Sequence, residues 1–278
     1  MRLKGFALSI LGAAGGLLLY CGSFYAKSYM ENLQEQKKYE VIKDTCLAGE
    51  EDSLNTGEKP DTEKDASSEL KARKKKADKE KTIEESFGIS WKKLSEINPE
   101  IIGWITVPGA DISYPVVQGK DDEYYLNHSI TGEKDPFGAV FLGFHNNKNF
   151  LESHSFLYGH NMEGNMMFAN LNRYESPEFL EQCPEFYVIT PKRKFCYEIF
   201  SVEQAVEDSI SFRYGYELES DTYRKQLEIL KENSIYNTGV TPDAGNTMVT
   251  LVTCNSRLDE YVRMTVHGIC RKIETEEK

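Results

Sequence analysis

The stretch "TLVTC", Thr250 to Cys254, ends a run of alternating apolar residues on a cysteine, just ahead of a polar segment. In a strand, Met248, Thr250, Val252 and Cys254 share one face while Val249, Leu251 and Thr253 share the other. The second set is the better core face, which leaves Cys254 on the more open side at a strand end, where loops leave room for a substrate. A thiol there can act as a nucleophile. An unperturbed cysteine is only about 3% thiolate at pH 7, so a nearby imidazole matters both for activation and for protonating a leaving amine.

The following run, "YVRMTVHGIC", alternates as well: Val262, Met264, Val266 and Cys270 point one way, and Tyr261, Arg263, Thr265 and His267 the other. If Asn255 to Glu260 is the turn of an antiparallel hairpin, Arg263 stands a few residues up the return strand from Cys254 and shares its face. A guanidinium beside a thiol favours the thiolate and donates hydrogen bonds to a substrate carbonyl or its oxyanion. The bland alternative is a surface arginine on a solvated face. Of the five histidines, His128 falls in a turn, His145 and His154 look like loop residues, and His267 is too deep if Arg263 lines the site. His160 follows the apolar run Phe156 to Tyr158 and Gly159, at a strand end where barrel sites open, and has a modest lead by spacing.

Other chemistries find little here. There is no H-E-x-x-H and no paired C-x-x-C, and the six-residue separation of His154 and His160 matches no standard ligand spacing, so no metal is expected. A G-x-S-x-G serine elbow and a Gly-rich phosphate loop are also absent, and no cofactor is expected.

The elements that must position these residues are short β-type runs broken by turn residues: "IIGWITVPG", "ISYPVVQG", "GAVFLG", "SFLYG", "EFYVIT", "KFCYEIFSV", "TMVTLVTC" and "YVRMTVHGIC". Eight such runs suggest a mainly β fold built as a closed or nearly closed barrel. A helix is expected around Ser90 to Ile97 and a short one over Met166 to Leu171. Between the sixth and seventh strands, Asp221 to Glu232 puts Tyr223, Leu227 and Leu230 at i, i+4 and i+7, with Ser220 or Asp221 as N-cap.

The globular part begins near Ser86. Ahead of it, nineteen of the thirty-five residues from Gly49 to Ile83 are charged and none is aromatic, a composition that cannot bury enough apolar surface to offset the entropy of ordering. Residues 27–85 read as a polar stalk, with a short helix over Tyr29 to Lys43 and a transient one over Ala66 to Lys81. Gly5 to Ala26 carries no charge over twenty-two residues. As a helix it would span about 33 Å, which favours an uncleaved transmembrane signal-anchor over 5–26, with residues 1–4 on the near side, over a cleaved signal peptide. Lysines flank it on both sides, so basic residues alone do not settle its orientation.

Net charge is −12 and the one dense basic run, Lys71 to Lys81, is interleaved with acids, which argues against nucleic acid as a partner. Of the six cysteines, Cys21 lies in the apolar segment and Cys46 in the stalk; if Cys254 is a working thiol, three remain among Cys183, Cys196 and Cys270, so a disulfide-stapled fold is not supported.

Together these motifs resemble the sortases, membrane-anchored cysteine transpeptidases of Gram-positive surfaces. "TLVTC" fits the T-L-x-T-C signature, "LYGHNM" looks like the histidine segment and "YVRMTVHG" resembles the arginine strand, in the family's order from Ser86 to Lys272. "SYPVVQGKDDEYYLNHSITGEKDPFGAVFL" and the long insertion between strands six and seven resemble class B in particular. The resemblance implies an eight-stranded sortase barrel over 86–278 with added helices, an extracellular catalytic domain and a cytoplasmic N-terminus. It implies that Cys254 attacks the threonine carbonyl of a C-terminal sorting pentapeptide, that His160 moves the proton, and that Arg263 holds the signal backbone and steadies the oxyanion. The implied partners are surface proteins bearing that signal, with a cell-wall peptide or pilin amine as acceptor. A third, acidic member is not assigned, because residue 255 is Asn and the nearest carboxylates are Asp259 and Glu260. Two rival readings stand beside this one: a cysteine peptidase that hydrolyses the same thioester, and a membrane-tethered peptide-binding module.

Overall fold

The runs rich in β-branched and aromatic residues form eight strands in the computed structural model, which describes residues 23, 26–47, 85–162, 164–206, 209–254 and 262–275. They are β1 (Ile101–Val107), β2 (Ile112–Val117), β3 (Val140–Leu142), β4 (His154–Tyr158), β5 (Glu185–Ile189), β6 (Arg193–Val206), β7 (Met248–Cys254) and β8 (Val262–Thr275). Each falls on one of the eight expected runs. They close into a barrel in the order β6-β8-β7-β4-β3-β2-β1-β5, so no open edge is left to template aggregation. Two neighbours are parallel, β7 with β4 and β2 with β3; the other pairs are antiparallel.

Alternation shows where the barrel is single-sided. In β5, Phe186 and Val188 are buried while Glu185, Tyr187 and Ile189 are half-exposed. Gly268 on β8 lets the Phe186 ring lie against bare backbone; a Cβ there would collide with the ring. In β7 the alternation disappears. Every residue from Met248 to Thr253 is 2% exposed or less, so the face expected to be open is covered too.

The cover is the segment between β6 and β7. Its helix α3 (Asp221–Glu232) starts where expected, with the Ser220 hydroxyl accepting from the Tyr223 amide, a cap worth about 1 kcal/mol. Tyr223, Leu227 and Leu230 pack on Phe200, Met248 and Ile269, and each leucine contributes roughly 2 kcal/mol by burial. The Tyr223 hydroxyl donates to the Ser153 and Asn246 carbonyls at 2.7 and 3.1 Å, fastening the helix across the starts of β4 and β7.

Two smaller helices precede it. The helix α1 (Trp91–Ile97) lies where the sequence suggests, and its Trp91 indole donates to Ser86 Oγ at 2.7 Å. The short helix expected over Met166 to Leu171 does not form there. Met166–Met167 pairs with Asn161–Met162, and a 3-10 turn covers Ala169–Glu175 instead. The cause is local: Gly164, Asn165 and Met167 all have positive φ, which a right-handed helix cannot accommodate. The helix α2 (Pro177–Gln182) follows, capped by Ser176.

Two compact units divide the chain, Met1–Ile42 and Lys43–Lys278. In the first, described residues from 26 on are helical and carry the ion pairs Lys27–Glu31 and Lys38–Glu35. The second opens with helical residues 43–46, and Leu47 forms a bridge with Ile89. Among the described residues no helix is long and apolar enough to cross a membrane. This overturns the expectation of a single-pass membrane protein with its catalytic domain outside: the helical residues described in the first unit, Ser23 and 26–42, carry Lys27, Glu31, Glu35, Lys37 and Lys38. Most of the expected span 5–26 lies outside the described residues, as does the expected helix over Ala66 to Lys81.

Candidate active site

Three neighbouring strands bring the sequence-nominated positions to one end of the barrel. β7 and β8 pair antiparallel with Cys254 opposite Arg263 in the ladder. β4 lies parallel on the other side of β7, with Tyr158 opposite Val252. The Gly159 amide then donates to the Val252 carbonyl at 3.1 Å, which carries the register one residue further and leaves His160 next in line. Directly opposed residues of an antiparallel pair share a face.

His160 is half-buried and anchored by its ring, with Nε2 2.8 Å from the Leu126 carbonyl. A carbonyl accepts only, so Nε2 carries the hydrogen there and Nδ1 is left to hold or move a proton. The loop that presents Leu126 is brought close by Gly138: its φ is +61° and a Cβ would press on the Tyr125 and Leu126 carbonyls and on His160 Cδ2. On the other side Gly159 lies against the Phe168 ring. His160 is thus wedged between two glycine-permitted close contacts.

Arg263 is half-buried, one position into β8. The carboxylates nearest the cysteine in sequence, Asp259 and Glu260, and also Asn255, lie outside the described residues. Burial pushes up the thiols of Cys46, Cys196 and Cys270, the second to about 11, which disfavours their thiolates and suits packing roles. Cys46, Cys183, Cys196 and Cys270 are all free.

The remaining histidines are occupied elsewhere. His128 stacks on Tyr124 at 4.0 Å with Nδ1 2.8 Å from the Tyr124 carbonyl, and His145 stacks on Tyr214. His154 is not a loop residue: it opens β4 and is fully buried. Its ring is held well below the ordinary imidazole range, first by burial and then by neighbouring His267. His267 is fully buried in β8.

Sequence reasoning missed a polar layer beneath this end of the barrel. His154, Thr250, Thr265 and His267 are fully buried, and Glu203 of β6 is 7% exposed. The signal was present as a glutamate inside the apolar run "IFSVEQAV" and as Thr265 and His267 on alternate positions of an otherwise apolar strand. Among the described residues there is no group of His, Cys, Asp and Glu able to hold a metal.

Comparison with known proteins agrees in sequence and in fold. The family model described as "Sortase domain" matches residues 105–269. Sortase B of Listeria monocytogenes is 32% identical over 176 residues, which is 63% of this chain and 71% of that protein. The X-ray structure of Clostridium perfringens sortase B superposes with a TM-score of 0.61 at 30% identity, covering 66% of this chain and all of that one. A Staphylococcus aureus sortase B–substrate complex gives a TM-score of 0.61 at 29% identity, covering 66% of this chain and 85% of that one. The matched segment covers most of the closed barrel and includes the positions 160, 254 and 263 at its end, and the chain therefore belongs to the sortase family, in its class B, whose members are cysteine transpeptidases.

Proposed function

We propose that this chain cleaves a C-terminal sorting signal after a threonine through a thioacyl enzyme and passes the acyl group to an amine of the cell wall or of a pilin. The Cys254 thiolate adds to the threonine carbonyl carbon, and the oxygen takes the negative charge. As the tetrahedral centre collapses, the C–N bond breaks, the leaving amine takes a proton from His160 Nδ1, and a thioester remains. An incoming amine then attacks the thioester, gives a proton to the same imidazole and displaces the thiolate. The Arg263 guanidinium donates to the oxyanion in both steps and holds the signal backbone. The solved complex of a relative with its substrate supports a peptide of the sorting-signal class as ligand.

The observation that carries this reading is the ladder itself: position 254 stands opposite Arg263, and β4, parallel to β7, delivers His160 two residues beyond the Tyr158–Val252 pair. The test incubates the chain with a C-terminal peptide library, with and without an added amine, and reads products by mass. The reading expects cleavage after threonine, diversion of the product to the amine, and complete loss in Cys254→Ala and His160→Ala with the circular dichroism spectrum unchanged. Product that stays hydrolysed at saturating amine would make the enzyme a peptidase, and peptide binding without turnover would make it a binding module.

A further inference from the structure

The buried layer below the active end has a hydrogen-bond order that its own chemistry dictates. His154 Nδ1 is 2.9 Å from the Arg213 carbonyl and must donate to it. With that ring neutral, its Nε2 accepts from Thr250 Oγ1 at 2.7 Å. The Thr250 hydroxyl proton is then committed, so at 2.8 Å Thr250 accepts from His267 Nδ1. Thr265 Oγ1 spends its proton on the Glu203 carbonyl at 3.1 Å. The remaining nitrogen, His267 Nε2, faces Thr265 Oγ1 at 3.1 Å and Glu203 Oε2 at 3.5 Å, both acceptors. The hydrogen bonds thus run in sequence from the Arg213 carbonyl through His154, Thr250 and His267 to Thr265 and the Glu203 carboxylate.

Two ends of this layer grip the segment between β6 and β7. Ser211 Oγ and Asn233 Nδ2 donate to the two Glu203 oxygens at 2.6 and 3.1 Å, and His154 holds the Arg213 carbonyl. Between them the Phe212 ring stacks on Phe156 at 6.1 Å. The ladders put Thr250 opposite His267, then Val252 opposite Thr265 and Glu203, then Cys254 opposite Arg263 and Ala205. The layer thus occupies the two rungs directly below the rung that pairs residue 254 with Arg263, and the chain leaving β6 just past Ala205 returns over it at 209–213.

We propose that this buried layer holds the β6–β7 segment down beside the strand ends that carry residues 254 and 263, and that Thr250 and Glu203 are positioning residues for peptide binding. A buried polar layer contributes little net stability compared with an apolar replacement, but its directed bonds specify one seating of the segment it holds. Thr250 is the joint, since its single hydroxyl must both donate and accept.

The inference rests on the transpeptidase reading, and amide exchange tests it independently of activity. In the full chain, Thr250→Val keeps the shape and removes the joint, whereas Thr250→Ser keeps the hydroxyl. Amides 209–216 should exchange about tenfold faster in Thr250→Val than in the parent, with the barrel strands still protected, and return to the parent rate in Thr250→Ser. With the peptide cleaved best from the library, KM should rise about tenfold at nearly constant kcat in Thr250→Val and recover in Thr250→Ser. Unchanged exchange at 209–216 overturns the proposal, as does a lower melting temperature with KM unchanged, or a fall in kcat alone. Faster exchange in Thr250→Val, with a parent that cleaves no peptide, would leave the layer standing and remove the function. If Thr250→Val fails to fold, the same exchange and KM measurements on Glu203→Gln decide the matter.

Discussion

Gly159→Ala is the sharpest probe of how His160 is placed. The glycine sits between β4 and the histidine, and an added Cβ would lie 2.7 Å from Phe168 Cγ, 2.9 Å from Cδ2 and 3.1 Å from Cδ1. Ordinary contact begins at 3.4 Å, so about 0.7 Å must be found. Turning the ring does not help, because Cγ lies on the axis of ring rotation. Phe168 is fully buried, its amide bonded to the His160 carbonyl at 2.9 Å, so the push falls on the backbone that carries His160. Overpacking of this kind costs about 1–3 kcal/mol of stability. A displacement approaching 1 Å at a proton-transfer group costs about a hundredfold in rate. The expected outcome is therefore asymmetric, with kcat on a sorting peptide down about a hundredfold and a melting temperature lower by only a few degrees. Adding Phe168→Ala, which removes the colliding Cγ and both Cδ atoms, should recover much of the rate at a further cost in stability. A Gly159→Ala enzyme with normal kcat, or a double variant no better than the single, would refute the claim that this contact sets the histidine.

Arg263→Lys should lose most of its activity, because an ammonium cannot reproduce the planar fork; near-normal turnover in a steady-state assay would remove the carbonyl-holding role. Acid should destabilise the fold in two stages. The folded-state value of His154 is lowered from 6.5, so its neutral burial contributes stability above about pH 6.5 that is lost as pH falls below it. For Glu203, burial opposes ionisation, but hydrogen bonds from His267 and Ser211, the neighbouring His267 itself and Asn233 outweigh it and hold the carboxyl below its ordinary 4.5. That contribution is present above about pH 4.5 and lost below. A thermal melt series should show both losses, the first absent in His154→Gln, and melting temperatures that rise on acidification would contradict the assignment. Tyr223→Phe leaves the Ser153 and Asn246 carbonyls without their shared donor and should cost about 1–2 kcal/mol in denaturant titrations, through the docking of α3.

Strand existence was legible in the residues because period-2 alternation and turn residues are local signals, and all eight strands lie on the runs that show them. The same holds for α3, where Ser220 and the spacing of Tyr223, Leu227 and Leu230 mark both the start and the buried stripe. The placing of Cys254 and Arg263 on adjoining strands was legible in two alternating runs, but their direct opposition was not, since a turn over Asn255 to Glu260 had put Arg263 a few residues up the return strand. A helix over Met166 to Leu171 was misread because a positive φ at Met167 and Asn165 is imposed by surroundings, not by residue type.

What the chain by itself determined was its vocabulary: eight strands, one capped amphipathic helix, a thiol and a guanidinium on adjoining strands. What only the tertiary structure decided was closure and coverage. The parallel pairing of β4 with β7 joins residues almost a hundred positions apart, and no local pattern encodes it. That pairing turns His154 from an apparent loop residue into the buried start of a strand beside Thr250, and the β7–β8 and β6–β8 ladders add His267 and Glu203 to the same hydrogen-bonded layer, under a face whose alternation had read as open. Alternation tells which residues share a face; whether water or another segment of the same chain lies on that face depends on where distant segments dock.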